Sequence, residues 1–544
     1  MFKIILIFLI TGICIAANPV IVKSPDQRLT LAFAVNDSAE AVYALFYKDQ
    51  PVILPSKLGI KLKDQPDFMN KFVVTAIDSS CINETWRPVW GEVNTIKNEY
   101  KELVVILRQE NIKDREMLLR FRVFNDGLGF RYEFPRQEEL QYFIVMDELT
   151  QFNLTGDHTL FWIPGDYDTN EYTYSKTPLS EVDATRGMSA QEISTRTIIA
   201  DNTVQTPLMI KTTDSLYINI HEAALVNYPA MDLLVDKDTF TLTSIFAPDA
   251  VGNLAYLQTL AKTPWRTIIV SDKAKDILAS KLILNLNDPC VLEDVSWIKP
   301  QKYIGIWWGM HVGTVSWNYA DTGNIKIDQV NWSKLQPNGR HGATTENTKR
   351  YIDFAAENGF DAVLVEGWNI GWEDWFGTWK EHVFSFTTPY PDFDVDALQQ
   401  YASDKKVKII MHHETSSAVT DYERQMTNAY AFMVKHGYNT VKTGYVGRII
   451  PRGEHHDGQW MVNHYLRVAK ATAKNHIMVN MHESARPTGV HRTYPNWLAC
   501  EAARGNEFNA WSSGNPPEHE TILPFTRLIG GPMDYTPGIF QIKM

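Results

Sequence analysis

Val407-Lys408-Ile409-Ile410-Met411-His412-His413-Glu414 is an apolar run that ends in a carboxylate. A second run, Ile477-Met478-Val479-Asn480-Met481-His482-Glu483, ends in the same way. Short apolar runs of this kind predict buried strands. In a parallel α/β barrel, the side chains that act on a ligand project from the carboxyl-terminal ends of the strands. The two runs therefore predict a barrel with Glu414 and Glu483 at its mouth.

Helical patterns alternate with apolar strands throughout the second half of the chain. Residues 345–358 carry apolar side chains at helical spacing and precede Gly359, which suits a helix C-cap. The predicted strands cover residues 303–308, 360–366, 407–414, 439–444 and 477–483, and the predicted helices cover residues 345–358, 394–405, 418–436 and 459–474. Repeated β-α-β units of this length predict a parallel (β/α)8-type barrel over residues 302–544.

The number of these units is smaller than a closed barrel requires. About six β/α units precede Met544, whereas a (β/α)8 barrel contains eight units in about 250 residues. Long loops at residues 309–343 and 367–393 take up part of the available length. We therefore expect an incomplete barrel, either because the chain is truncated at its C-terminus or because its end closes the barrel in an unusual way.

Residues 18–295 have a different pattern. Short runs alternate apolar and polar residues, as in Leu118-Leu119-Arg120-Phe121-Arg122-Val123-Phe124, and turn sequences such as Asn125-Asp126-Gly127 separate them. This alternation predicts antiparallel strands packed as a large β-sandwich. Ser296-Trp297-Ile298-Lys299-Pro300-Gln301 is the predicted linker between the sandwich and the barrel.

The first residues have the pattern of a secretory signal peptide. Met1-Phe2-Lys3 precedes an apolar run over residues 4–15 and then Ala16-Ala17. The apolar run is too short to span a bilayer. We therefore expect a signal peptide over residues 1–17 and a protein secreted to the periplasm. Cys14 leaves a lipid anchor as an alternative.

The net charge of −12 limits the classes of partner. An acidic surface disfavours nucleic acid and suits a neutral ligand or a metal cation. Cys81, Cys290 and Cys500 lack the spacing of a zinc site or of a disulfide framework. A Cys81–Cys290 disulfide is one interpretation, and two buried thiols are the favoured one. The sequence leaves the oligomeric state open.

Four glutamates fall at or just after the C-terminal ends of apolar runs and are the candidate functional residues at this mouth: Glu414, Glu483, Glu501 and Glu507. Two carboxyl groups can hydrolyse a glycosidic bond, and several carboxylate oxygens can bind calcium. Eight of the sixteen tryptophans lie between Trp307 and Trp379, and indole rings pack well on sugars. The same acidic cluster could therefore bind a cation and act on a sugar.

Longer motifs resemble a known family. They are His412-His413-Glu414-Thr415, Val441-Lys442-Thr443-Gly444-Tyr445-Val446-Gly447, His482-Glu483-Ser484-Ala485-Arg486-Pro487-Thr488-Gly489, Glu501-Ala502-Ala503-Arg504-Gly505-Asn506-Glu507 and Gly530-Gly531-Pro532-Met533-Asp534-Tyr535-Thr536-Pro537-Gly538. With His221-Glu222-Ala223-Ala224-Leu225, they resemble glycoside hydrolase family 97. They are most similar to its inverting, calcium-dependent α-glucosidases of Bacteroides starch utilisation.

The resemblance implies an N-terminal β-super-sandwich, a catalytic (β/α)8 barrel and a small C-terminal β-domain. We expect the last barrel elements and the C-terminal domain to be missing from this sequence. By motif, the resemblance assigns Glu507 as the general acid and Glu483 and Glu414 as the bases. The substrate implied is an oligosaccharide with a terminal α-linked glucose.

The resemblance also implies a calcium ion beside the substrate. The barrel ligands that carry over are Glu483 and Glu501. The sandwich supplies one more glutamate, for which we choose Glu171 over Glu181 and Glu192. Hard oxygen ligands of this kind suit Ca²⁺.

Substrate contacts are expected from polar side chains at the strand ends and from neighbouring indoles. Lysine donates hydrogen bonds, and imidazole donates or accepts them. The candidate substrate-binding residues are His412, His413, Lys442, His482, Trp307 and Trp308.

Gly444 bears on the reaction mechanism. The retaining branch of the resembled family has a nucleophilic aspartate at the end of this strand, and glycine cannot attack an anomeric carbon. We therefore expect inversion of configuration. An α-galactosidase and an inactive sugar-binding remnant stay open as alternatives. Zinc is disfavoured because no His/Cys ligand cluster is present, and a serine hydrolase is disfavoured because Ser484 lacks a nucleophile-elbow motif.

Overall fold

The computed structural model describes residues 18–113, 115–185, 192–536 and 538. The predicted signal peptide lies outside these residues.

The first half of the chain consists of antiparallel strands. They are β1 (Val20–Lys23), β2 (Leu29–Val35), β3 (Ala41–Tyr47), β4 (Gln50–Leu58), β5 (Ile60–Leu62), β6 (Phe72–Trp86), β7 (Ile96–Gln109), β8 (Glu116–Phe124), β9 (Gly127–Phe134), β10 (Tyr142–Glu148), β11 (Gln151–Asn153), β12 (Thr159–Trp162), β13 (Ser175–Pro178), β14 (Thr203–Gln205), β15 (Leu208–Lys211), β16 (Tyr217–Ala223), β17 (Met231–Asp236), β18 (Thr241–Phe246), β19 (Ala255–Gln258), β20 (Ala261–Lys262) and β21 (Trp265–Ser271).

Two large sheets form the sandwich. One has the order β1-β2-β3-β4-β11-β18-β17-β14, and the other has the order β13-β12-β15-β16-β21-β9-β8-β7-β6 with β20 beside β9. Aromatic rings from the two sheets pack together between them. The ring centroids of Phe33 and Phe121 are 5.6 Å apart, and those of Tyr43 and Phe130 are 5.0 Å apart. The predicted β-sandwich is therefore confirmed. The alternating pattern of β8 buries every second side chain over most of its length, whereas β3 and β21 are buried on both faces.

Six parallel strands follow in sequential order. They are β22 (Tyr303–Ile306), β23 (Ala362–Val365), β24 (Lys408–Glu414), β25 (Thr440–Gly444), β26 (Met478–Met481) and β27 (Trp497–Cys500). The helices are α1 (Ala274–Ala279) and α2 (Leu282–Asn285) before the sheet, α3 (Trp308–His311), α4 (Thr345–Asn358), α5 (Val395–Asp404), α6 (Val419–Lys435) and α7 (Gln459–Lys474) between its strands, and α8 (Phe508–Trp511) and α9 (Pro517–Ile522) after it. The sheet curls into part of a barrel, which confirms the predicted fold class.

Local signals explain the helix boundaries. The side chain of Thr344 accepts a hydrogen bond from the Asn347 N–H at the start of α4, and Gly359 ends this helix with φ of 72°. Asp394 caps α5 in the same way through the Ala397 N–H. The sequence predicts these ends well because a cap needs only the residues beside it.

The edge of the parallel sheet beyond β27 is covered by the end of the described chain. Met533 forms a parallel bridge with Cys500, and the Asp534 N–H donates to the Cys500 carbonyl at 2.9 Å. The buried guanidinium of Arg527 donates to the Glu501 carbonyl at 3.1 Å and to that of Cys500 at 2.8 Å. These hydrogen bonds satisfy carbonyls that would otherwise form an open sheet edge.

The three cysteines among the described residues are free. Cys500 is buried, but Cys81 and Cys290 are exposed, so the expectation that both of these thiols are buried is wrong. Cys81 lies on β6, the outermost strand of its sheet, where most side chains face solvent. Within the described ranges, no helix combines the length and apolar character needed to cross a bilayer.

A buried arginine joins the sandwich to the barrel. Arg486 lies in the loop after β26, and its Nη2 donates to Asp232 Oδ1 on β17 at 3.0 Å. Its Nη1 donates to Asn170 Oδ1 at 3.0 Å and Gln205 Oε1 at 3.1 Å in the sandwich. The same nitrogen donates to Asp457 Oδ2 in the barrel at 2.9 Å. One side chain therefore fixes the barrel loop against three parts of the sandwich.

The His221-Glu222-Ala223-Ala224-Leu225 motif lies at the same interface. His221 Nε2 donates to the Pro487 carbonyl at 3.0 Å. The N–H groups of Ala224 and Leu225 donate to the carbonyl and hydroxyl of Thr488, each at 3.0 Å. This motif holds the loop that contains Arg486.

Replacing the interface arginine should destabilise the protein strongly. Arg486→Gln leaves Asp232 and Asp457 buried without their shared cation, so the free energy of unfolding should fall by about 3–5 kcal/mol. Urea denaturation followed by tryptophan fluorescence measures this change. The matched control is Arg28→Gln, whose ion pair with Asp26 is partly exposed and should be worth less than about 1 kcal/mol. Equal losses in both variants would contradict the interface role.

Candidate active site

Acidic residues collect at one edge of the parallel sheet. Glu366, Glu414, Glu483 and Glu501 lie at the ends of β23, β24, β26 and β27 or within two residues after them. The strands are all parallel, so their C-terminal ends meet at the same edge. The predicted placement of Glu414, Glu483 and Glu501 at one mouth therefore agrees with the strand order in the structure.

Glu414 is the last residue of β24 and is buried. Its Oε1 accepts hydrogen bonds from the Ser416 N–H at 2.7 Å and the Val446 N–H at 3.2 Å. Its Oε2 has no hydrogen-bond partner among the described residues. Burial raises the pKa of Glu414 to about 8, even though the two backbone donors favour the ionised form.

Gly444 ends β25 directly beside Glu414 in the sheet register. A Cβ atom at position 444 would overlap Glu414 Oε2 and would lie 3.3 Å from His412 Nε2. The Glu414 carboxylate therefore occupies the space that any larger residue at 444 would need.

Glu483 is half-buried and has φ of 50° in the left-handed region. Ser194, from the sandwich, donates its hydroxyl to Glu483 Oε1 at 3.3 Å. Burial and the nearby charge of Glu414 raise the pKa of Glu483 well above its usual value. The charges of Glu414 and Glu507 both act on Glu483, so its carboxyl group lies near the other acids.

Glu507 precedes the short helix α8. Removal of its carboxyl group from solvent raises the pKa of Glu507 to about 7, against the attraction of Lys442. A Cβ atom on Gly505 would lie 3.3 Å from Glu507 Oε1 and 3.9 Å from Glu501 Oε1. The carboxyl groups of Glu501 and Glu507 therefore lie on the same side of this turn.

Glu171, His482 and Glu501 form a compact group. One ligand atom from each residue lies within 4.8 Å of the others. His482 Nε2 lies 2.5 Å from Glu501 Oε2, yet no described residue gives this oxygen a hydrogen bond of proper geometry. The structure thus places Glu171 and Glu501 together as expected, with His482 in the position where we expected Glu483.

This group fits a metal cation. Burial, reinforced by the charges of Glu483 and Glu507, raises the pKa of Glu171 well above its usual value. The ionised carboxylate of Glu171 is therefore destabilised, and a bound cation would stabilise it. Two carboxylates, one of which has an oxygen without a donor among the described residues, suit a hard cation such as calcium. His482 is neutral because burial lowers its pKa well below the usual value, and an imidazole suits softer metals better than calcium.

Two arginines of the barrel hold the sandwich segment that contains Glu171. The Arg504 Nη1 donates to the Glu171 carbonyl at 3.4 Å, and Asn170 is held by Arg486. Of the two rival glutamates, Glu192 lies 3.3 Å from Arg504 Nη1, and Glu181 lies in a short turn after β13. Neither rival joins the cluster of Glu171, His482 and Glu501.

Lys442 and His412 are adjacent across β24 and β25. Lys442 Nζ lies 3.1 Å from Asp534 Oδ2, and the same oxygen accepts from Asn480 at 2.6 Å. His412 is buried, both of its ring nitrogens lack partners within the described chain, and Nε2 lies 3.9 Å from Glu366 Oε1. His412 is therefore placed to bind a ligand group, and Lys442 lies on the same row.

His413 does not lie with these residues. Its Nδ1 lies 3.1 Å from the Tyr422 hydroxyl of α6, and its ring packs 5.0 Å from Phe386. Successive side chains of a strand point to opposite faces, so His413 faces the surrounding helices when His412 faces the sheet interior. The expectation that both histidines bind substrate is corrected to His412 alone.

Trp307 and Trp308 lie at the end of β22. Their ring centroids are 5.4 Å apart, and both rings approach His311, which also lies 4.9 Å from Trp511 of α8. Both tryptophans are half-buried, and His311 joins them to α8, the helix that Glu507 precedes.

Two acidic residues of the site were not assigned a role from the sequence. Trp317 donates its indole N–H to Glu366 Oε2 at 2.8 Å, and burial raises the pKa of Glu366 to about 7. Asp534 joins Lys442 to the Tyr303 hydroxyl, which donates at 2.5 Å. Glu366 follows a strand just as Glu414 ends one, so its position at a strand end is a sequence signal for it. The contact of Asp534 with Lys442 depends on the folded end of the chain and has no such signal.

Comparisons with known proteins agree with this architecture. A family model described as Glycosyl-hydrolase 97 N-terminal matches residues 22–289, and one described as Glycoside hydrolase 97 matches residues 307–503. The solved structure of a Glycoside Hydrolase Family 97 enzyme from Pseudoalteromonas sp. strain K8 in complex with acarbose is 41% identical, covers 96% of this chain and 75% of that one, and has a TM-score of 0.85. A variant from the same strain in complex with panose gives the same values. A retaining alpha-galactosidase of Bacteroides thetaiotaomicron is 25% identical over 95% of this chain and 72% of its own length.

The raised pKa of Glu414 predicts a specific pH dependence of stability. The folded protein holds the proton of the Glu414 carboxyl group more tightly than the unfolded chain does. The contribution of this group to the free energy of unfolding is therefore complete below about pH 4.5 and is lost as the pH rises to about 8. Glu414→Gln should remove this loss, which is about 1.4 kcal/mol per pKa unit. Thermal unfolding in the presence of a chelator, measured between pH 5 and pH 9, tests the difference. The exposed control Glu357→Gln should follow the wild-type curve, and a Glu414→Gln curve parallel to wild type would contradict the assignment.

Proposed function

This chain belongs to glycoside hydrolase family 97, and from that premise we propose that it is an exo-acting, calcium-dependent α-glucosidase that works with inversion of configuration. The observation that carries the proposal is the pairing of Gly444 with Glu414. Retention through a covalent intermediate needs a nucleophile at the anomeric carbon. Gly444 offers none, and Glu414 fills the space beside it.

The acid in this reaction is Glu507. A pKa of about 7 keeps a large fraction of its carboxyl groups protonated near neutral pH. Glu507 gives its proton to the leaving oxygen as the bond between that oxygen and the anomeric carbon breaks. The leaving sugar therefore departs as an alcohol.

The bases are Glu414 and Glu483. One proton of a water molecule passes to the ionised carboxylate of this pair while the water oxygen bonds to the anomeric carbon. Attack on the face opposite the leaving group gives a β-configured hemiacetal from an α-glucoside. Burial and the charge of Glu414 raise the pKa of Glu483, so one carboxyl group of the pair keeps a proton near neutral pH and the ionised one is the base that accepts the proton of water.

Glu171 and Glu501, with Glu483 beside them, would hold calcium. When bound, the cation supplies positive charge that keeps these carboxylates ionised and stabilises negative charge that develops near them. Glu171 comes from the sandwich, so metal binding would depend on the packing of the two domains. His482 belongs to the same group of ligand atoms, and its Nε2 lies 2.5 Å from Glu501 Oε2.

Glucose is the favoured sugar because the 41% identical relative was crystallised with acarbose and, as a variant, with panose, a trisaccharide of α-linked glucose. Substrate contacts come from His412 and Lys442, with Trp307 and Trp308 as ring faces. Hydrolysis of α-galactosides is the second candidate, because a 25% identical relative is named a retaining alpha-galactosidase.

The substrate and the stereochemistry can be tested together. Hydrolysis of 4-nitrophenyl α-glucoside should exceed that of the α-galactoside by at least about 100-fold in kcat/KM, because a site that hydrogen-bonds one hydroxyl orientation leaves buried groups unpaired with its epimer. Proton NMR of the first-formed sugar should show the β anomer. An α-configured first product, or a preference for the galactoside, would overturn the respective part of the proposal.

Two variants separate the catalytic acid from its surroundings in an assay of maltose hydrolysis. Glu507→Gln should lower kcat on maltose by about 10²–10⁴-fold, because the leaving sugar oxygen is strongly basic and loses its proton donor. Glu518→Gln, an exposed glutamate on α9, should retain wild-type activity. Full activity in Glu507→Gln would refute the acid assignment.

Calcium binding can be measured without activity. Calcium at 100 times its dissociation constant should add about 2.7 kcal/mol of stability, which raises the melting temperature of chelator-treated protein. Glu501→Gln should lose most of this shift, and the exposed control Glu518→Gln should retain it. A calcium-independent melting temperature in the wild type would contradict the metal site.

A further inference from the structure

A cleft lies between the sandwich and the barrel. Its volume is about 360 Å³, within the range of about 300–1,000 Å³ that is typical of small-molecule sites. One wall is the end of β6 and the loop that follows it, which contains Trp90. The other wall includes His491, Arg492 and Pro495 of the barrel. Binding sites often lie at domain interfaces of this kind.

The cleft is separate from the acidic mouth. Pro495 lies two residues before Trp497, the first residue of β27, whereas Glu501 directly follows the last residue of this strand. The cleft wall and the mouth are therefore at opposite ends of β27. None of the residues that line the cleft has a role in the proposed hydrolysis.

Two tryptophans of the cleft are held in place by hydrogen bonds. The Trp86 indole N–H donates to Asn285 Oδ1 at 2.9 Å, and the Arg492 guanidinium carbon lies 4.1 Å from the centre of the same ring. The Trp90 indole N–H donates to the Pro495 carbonyl at 2.7 Å. Because each N–H already has a partner, the surface that these indoles offer to the cleft is carbon. Aromatic carbon surfaces of this kind pack well on the C–H faces of sugars.

Arg492 has a hydrogen-bond donor that is not used. Its Nη1 donates to the Leu284 carbonyl at 2.9 Å and to the Asn285 carbonyl at 3.1 Å. Its Nε is buried and has no hydrogen-bond partner among the described residues. A buried donor without a partner is rare and lowers stability, so it points to an acceptor from a bound molecule.

The charged groups of the cleft have both signs. Arg87 and Arg492 are cations, and Glu84 is an acid whose Oε1 accepts a hydrogen bond from Asn98 at 2.7 Å. Burial lowers the pKa of His491 to about 4, so its imidazole adds no charge near neutral pH. An anion or a cation would each meet a like charge in this cleft. A neutral ligand with hydroxyl groups avoids that repulsion, because a hydroxyl donates to a carboxylate and accepts from a guanidinium.

We propose that this cleft is a second, non-catalytic binding site for an α-linked glucan. Trp86 and Trp90 pack on the sugar rings, and Arg87, Glu84 and Arg492 bind the hydroxyl groups. The site would hold a long substrate while the acidic mouth acts on a free end of such a chain. The choice of a glucan over another neutral sugar rests on the proposed function, whereas the cleft and its mixed charges do not.

The test uses β-cyclodextrin, because this ring of α-linked glucose has no terminal sugar for an exo-acting site. Isothermal titration calorimetry should show that the wild type binds it with a Kd of about 1 mM or less. Arg87→Ala should raise the Kd about tenfold, because one hydrogen bond from a charged donor is lost. The double variant Arg87→Ala/Glu84→Ala should show no measurable binding. Both side chains are exposed, so their removal should leave the fold intact.

The matched control is Arg136→Ala/Glu138→Ala, which removes an exposed arginine and an exposed glutamate elsewhere on the sandwich. Its Kd for β-cyclodextrin should equal that of the wild type. All of these variants should keep the wild-type kcat/KM on 4-nitrophenyl α-glucoside, because the mouth is unchanged. Equal binding by the two double variants would refute the second site, and so would the absence of any heat of binding in the wild type.

Failure of the proposed function would give a different result. A wild type that does not hydrolyse α-glucosides, yet binds β-cyclodextrin through Arg87 and Glu84, would overturn the function and support this site. A wild type that releases β-glucose but does not bind β-cyclodextrin would overturn this site alone. A crystal soaked in β-cyclodextrin should show sugar density against Trp86 and Trp90, and density only at the acidic mouth would contradict the inference.

Discussion

The active site depends on the buried guanidinium of Arg486. This group binds Asp232, Asn170 and Gln205 of the sandwich and Asp457 of the barrel, and it is only three residues from Glu483. Because Asn170 precedes Glu171, the same contacts bring a sandwich carboxylate to the barrel mouth. The domains are therefore not separable functional units: the sandwich supplies part of the site and also its alignment.

The site concentrates acidic groups where solvent is scarce. Burial and mutual repulsion raise the pKa values of Glu171, Glu366, Glu414, Glu483 and Glu507. Lys442 and Arg504 are the nearby cations, and Lys442 is already paired with Asp534. Such an arrangement lowers stability, and it also gives carboxyl groups that keep a proton near neutral pH and carboxylates that attract a cation.

Parts of the site follow from local rules, and other parts do not. Strand ends predict Glu414, Glu483 and Glu501, since parallel strands bring their C-terminal ends together whatever the loops do. The pairing of Glu171 with Glu501 joins residues 330 positions apart, and no local pattern selects Glu171 over Glu192. Glu171 was chosen because of the family resemblance. Strand alternation predicts that the His413 side chain points away from the barrel interior once the His412 side chain is placed inside it.

The sequence by itself determined the two domain types, the helix boundaries and the acidic character of the barrel mouth, because periodicity, caps and strand ends depend on neighbouring residues. Only the tertiary structure decided that His482 approaches Glu501, that Asp534 closes on Lys442, and that Glu414 fills the space beside Gly444. These contacts depend on how distant segments pack and how far each side chain reaches. Hydrophobic patterning fixes which face of a strand is buried, but it does not fix which buried polar atoms meet there.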